Sequence, residues 1–129
     1  MGYDRTVRVD TDFTTTVAAV RDALAAHGFG VLTEIDVTAT LRAKIGAEME
    51  DYLILGACNP ALAHRALEAD RAIGLLLPCN VVVRRDGKRT LVQALDPMTM
   101  VALSGDAALE PVAREAAGRL DAALAALVA

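Results

Sequence analysis

The stretch from residue 79 to residue 95 restricts the fold of this chain more than any other. Cys79 to Arg85 is apolar and β-branched, Asp86-Gly87 is a tight-turn dipeptide, and Thr90 to Leu95 alternates back. β-Branched side chains suit a pleated strand, and Asp-Gly supplies the positive φ angles of a two-residue hairpin loop. The stretch therefore predicts an antiparallel hairpin inside a mostly antiparallel sheet. A sheet with one apolar face must bury it, and the rest of the chain supplies helices for that purpose.

Tyr3 to Val9 alternates with period two and predicts a first strand. Asp12 offers a capping carboxylate to a helix carrying Phe13, Val17, Val20 and Leu24 on one face, stopped by Gly28. Gly30 to Val37 predicts a second strand, with Val31, Thr33, Ile35 and Val37 on one face and Leu32, Glu34 and Asp36 on the other. Thr38 to Ile45 is a short helix ended by Gly46. Asp51 to Cys58 is a near-continuous apolar run around Gly56, a strand buried on both faces or closely approached by backbone. Asn59-Pro60 opens a helix running to Gly74, and Asp96-Pro97 opens a short turn through Leu103. Asp106 caps a last helix with Leu109, Val112, Ala116, Leu120, Leu124 and Leu127 in one stripe. The order β-α-β-(α)-β-α-β-β-α predicts an α+β fold, a curved sheet of about five strands with helices on one face.

At 129 residues the chain has the length of a single domain, 1–129. Thirteen basic residues against seventeen acidic ones give a net charge of -4, and aromatic residues are 3% with no Trp. Nucleic acid is an unsuitable partner for such a surface. No apolar stretch approaches the roughly 20 residues of a membrane span, and the N-terminus lacks a signal-peptide pattern, so the expected compartment is the cytoplasm. The hydrophobic share is 54%, and the run Leu75-Leu76-Leu77 is hard to cover within a chain of this size. A homodimer is the expected assembly.

No phosphate loop, Ser/His/Asp order or HExxH motif occurs, and no cofactor can be named from the residues. Two tripeptides rhyme instead: Ala57-Cys58-Asn59 closes the third strand and Pro78-Cys79-Asn80 opens the fourth. A thiol beside a carboxamide at a strand end can hold a soft metal, a sulfur species or a small anion. Two cysteines fall short of the four ligands of structural zinc, and their spacing is not that of a Cys-x-x-Cys redox pair. Free cysteines also behave as small core hydrophobes, so burial of both is the competing expectation. Asn59 has a full account as a helix cap, whereas Asn80 sits in a strand where Asn is disfavoured. Glu34 and Asp36 form a carboxylate pair that suits a metal or acid/base role, or a solvated sheet face. His64 belongs to the solvent-facing side of its helix, and Met98 and Met100 are gap-filling or interface residues.

GFGVLTEIDV, YLILGACNP, AIGLLLPCNVVVR and ALDP, in this order and spacing, resemble domain of unknown function family 302 across nearly the whole chain. The resemblance implies a TATA-binding-protein-like α+β fold in small homodimeric bacterial or archaeal proteins, and implies no activity. If the third and fourth strands are antiparallel neighbours, Cys58 and Cys79 meet at one end of the sheet; a parallel crossover would place them at opposite ends. Three functions follow: a homodimeric binding module with a pocket at Cys58, Asn59, Cys79, Asn80 and Glu34; a thiol-dependent enzyme, which needs a depressed thiol pKa that Arg71 or a partner would supply; and an interaction domain with both thiols in its core.

Overall fold

The computed structural model describes residues 2–128. Its five strands are β1 (Asp4–Val9), β2 (Gly30–Asp36), β3 (Tyr52–Cys58), β4 (Cys79–Asp86) and β5 (Arg89–Leu95). They form one sheet in the order β1-β5-β4-β3-β2, antiparallel at every pairing. The helices are α1 (Phe13–Ala26), α2 (Val37–Ile45), α3 (Pro60–Ala69), α4 (Met98–Ser104) and α5 (Glu110–Val128), with 3-10 turns at Arg71–Leu76 and Ala107–Leu109. The fold is α+β, an open sheet with helices, as the hairpin and the helical stripes predict.

Local chemistry sets the helix boundaries. Asp12, Asp36 and Asn59 each accept a hydrogen bond from a first-turn backbone N–H, satisfying donors that have no partner within the helix. The helix expected from Pro60 to Gly74 is divided at Asp70, whose extended backbone (φ −155°) ends α3 and whose side chain caps the following 3-10 turn through Ala72 N–H. A capping residue in mid-run thus overrides the apolar spacing.

β2 departs from its expected alternation. The register passes from Val31 opposite Ala57 to Thr33 opposite Gly56, so Leu32 is the extra residue of a β-bulge. Val31 faces the helices, but beyond the bulge the faces exchange. Thr33 and Ile35 turn to the other side, while Glu34, opposite the buried Leu55, turns to the helix side and pairs with Arg21 of α1. Gly56 is the tight point of β3: a Cβ there would collide with the Thr33 hydroxyl and lie 2.9 Å from Pro78 Cγ.

Two apolar clusters result. The first is Leu53, Leu55, Ala57, Val81, Val83, Val92 and Ala94 of the central strands, packed against Val20 and Leu24 of α1 and Leu120, Ala123 and Leu124 of α5. The second joins Leu62 and Ala66 of α3, Ile73, Met100 of α4, and Leu109, Val112, Ala113 and Ala116 around the first half of α5. Arg5 ties the edge strand β1 to Asp121 of α5 at 2.7 Å and to Asp96 at 3.3 Å.

Candidate functional site

The two clusters meet at the end of the sheet where β2 begins, β3 ends and β4 begins, and there they leave a pocket of about 280 Å³. Its sheet side is formed by Phe29, Leu32, Ala57, Cys58 and Cys79. Asn59, Leu62, Ala63 and Ala66 of the α3 segment form one wall; Met100, Val112 and Ala116 form another, and Leu77 and Pro78 close the edge. Asn59 is the one residue of this lining with a strongly polar side chain, and no charged residue lines the pocket among those described.

Antiparallel pairing of β3 with β4 sets Cys79 directly opposite Ala57, so Cys58 is one residue from the facing position. Both residues line one pocket, at the single sheet end that a shared site requires. Cys79 is 8% exposed, and its thiol is pushed up to about 11, first by burial and then by the proximity of Cys58. Burial alone raises the half-buried Cys58. Desolvation disfavours the thiolate, and no Lys, Arg or His in the lining offsets it. At neutral pH both sulfurs are protonated, soft and weakly polar.

Both ends of the Asn59 amide are engaged with backbone groups. Its Oδ1 accepts from Leu62 N–H at 3.1 Å, and its Nδ2 donates to the Gly28 carbonyl at 3.0 Å. Gly28 has φ +88°, and a Cβ there would lie 2.8 Å from Arg119 and 3.0 Å from Asn59, so glycine is required for this clamp between the end of α1 and the start of α3. On the outer side of α3, Glu115 of α5 accepts from Arg65 at 3.0 Å and from Arg119 at 3.2 Å, and the Arg65 hydrogen bond is the first cause holding its carboxyl below the ordinary range. These polar contacts hold α3 against α5, so the pocket lies between braced elements.

Asn80 and Glu34 stand elsewhere. Asn80 is exposed, lies opposite Gly56 on the face turned away from the first cluster, and borders a shallow groove with Tyr3, Tyr52, Val82 and Gln93. Glu34 is held by Arg21, and Asp36 caps α2. His64 is exposed and pairs with Glu68 at 3.3 Å. Among the described residues no group of three His, Cys, Asp or Glu side chains is placed to hold a metal ion, and no helix is long and apolar enough to cross a membrane. Sequence reasoning assigned Met100 a packing role; its place in the pocket depends on how α4 docks, and only its position beside the Asp96-Pro97 helix start was visible in the chain.

Curated proteins provide no match. A crystal structure described as an uncharacterized conserved DUF302 protein from Bacillus stearothermophilus is similar, with a TM-score of 0.92 and 32% identity over 98% of this chain and 99% of that one. The family model for "Domain of unknown function DUF302" matches residues 5–127. The chain belongs to this DUF302 family.

Proposed function

We propose that the protein is a small-molecule binding module whose site is the pocket at Cys58 and Cys79, and that its ligand is compact, soft and without net negative charge. The observation that carries this reading is an apolar pocket of about 280 Å³ with two thiols and no charged lining residue. The volume suits a ligand of roughly ten to fifteen non-hydrogen atoms at ordinary packing density. An anion would find no cationic partner there, and the only amide in the wall is committed to backbone groups. Nucleophilic catalysis is less well supported, because burial raises both thiols rather than lowering them.

The test is a titration of isotope-labelled protein with phenyl methyl sulfide, a neutral soft probe. The expected outcome is saturable shifts of the Leu62, Met100 and Val112 methyl signals, lost in Ala63→Leu, which fills the wall. Shifts that fail to saturate, or that are equal in Ala63→Leu, contradict the reading.

As its assembly we propose a homodimer. The sheet face turned away from the first cluster supports it, since Tyr52, Ile54 and Val82 are half-buried and Ile35 is 49% exposed there. Sedimentation should give a dimer that Val82→Arg converts to a monomer; a monomeric wild type contradicts it.

A further inference from the structure

The pocket gathers sulfur: both cysteines and one of the four methionines, Met100, line it together. The three come from separate elements, β3, β4 and α4, so neither sequence spacing nor a shared helix face accounts for their meeting. Met100 is 4% exposed and packs in the second cluster, while Cys79 belongs to the sheet side. The three residues thus border one space at the seam between the two clusters.

We propose that Cys58, Cys79 and Met100 form a three-sulfur site for a soft monovalent d10 cation of the Cu(I) type. Thiolate and thioether donors select such ions over harder ones. Structural zinc requires four ligands, and among the described residues no third His, Cys, Asp or Glu joins the two thiols. The apolar wall favours a complex without net charge. One thiolate, one neutral thiol and one thioether around a monovalent ion meet that condition, with one proton leaving Cys58 or Cys79 for solvent. The lining residues Leu62, Val112 and Ala116 would exclude the water and oxygen donors that stabilise harder cations.

The proposal rests on the pocket being a ligand site, and the two are separable by experiment. Reduced protein is titrated with Cu(I) buffered by bicinchoninate, alongside Cys58→Ser, Cys79→Ser and Met100→Leu, with circular dichroism verifying that each variant is folded. One Cu(I) per chain is expected, weakened about a hundredfold or more in each cysteine variant and about tenfold in the volume-conserving Met100→Leu. X-ray absorption at the copper edge of the wild type should show sulfur scatterers alone. Failure of the wild type to hold Cu(I), unchanged affinity in any of the three variants, or a shell of nitrogen or oxygen overturns the three-sulfur site. Saturable phenyl methyl sulfide binding without Cu(I) binding would leave the pocket as a ligand site and overturn the metal; Cu(I) binding with the expected variant losses but without the neutral probe would uphold the metal site and overturn the reading of the pocket as a site for neutral molecules.

Discussion

The two apolar clusters are built from similar residues yet pack differently. In the first, strands in regular register present Leu55, Val81, Val83 and Val92 to two long helices, and the gap left among Val20, Leu24, Val81, Leu120 and Leu124 is about 10 Å³, room for no more than a water molecule. In the second, short helices and a 3-10 turn with Ala63, Ala66 and Ala116 at their contacts leave about 280 Å³ at the border with the sheet. Long regular elements interdigitate along their length, whereas short elements meeting at angles touch mainly at their ends. The pocket is a product of that difference, and the thiols lie beside it because β3 ends and β4 begins there.

Substitutions that separate the two regions test this contrast. The largest effect is expected at Leu55, which is fully buried in the first cluster: Leu55→Ala should cost about 3–5 kcal/mol in denaturant unfolding. Leu62→Ala removes a side chain that already borders open space on one side, and should cost less, about 2–3 kcal/mol. Equal costs at the two sites would break the comparison. Gly56→Ala, which drives a methyl group into the Thr33 hydroxyl and Pro78, should destabilise by about 1–3 kcal/mol.

A further expectation concerns pH. Burial raises the Cys79 thiol from its ordinary 9.0 to about 11, so between these values the unfolded chain releases a proton that the folded chain keeps. The stabilising contribution is complete below pH 9 and is lost as pH rises towards 11, by on the order of 2 kcal/mol. Unfolding curves at neutral and alkaline pH should show this loss in the wild type and less of it in Cys79→Val; equal losses would contradict the assignment. The smallest effect should be that of Ala63→Leu, within about 0.5 kcal/mol of the wild type, because the added methyl groups enter open space.

Much of the architecture was legible in the chain because it depends on local chemistry. Asp86-Gly87 set the hairpin, Asn59-Pro60 set the start of α3, and the apolar stripe from Leu109 to Leu124 set the helical run that packs on the sheet. The bulge at Leu32 was not legible, since one extra residue exchanges the faces of a strand without altering its composition. The break at Asp70 was equally hidden, because the apolar spacing continues through it. The placement of Cys58 and Cys79 at one end of the sheet was legible on the condition that β3 and β4 are antiparallel neighbours, as they are. Strand alternation alone held the signal that Asn80, next to Cys79, faces the opposite side. The role of Met100 required the docking of α4, which no local pattern encodes.

The most direct test of the contrast is diffraction from crystals of the reduced protein held under xenon, a neutral probe that enters dry apolar cavities. Xenon bound between Leu62, Met100 and Val112, with none among Val20, Val81 and Leu120, is the predicted result. Xenon absent from the first of these places, or present equally in both, would contradict the account.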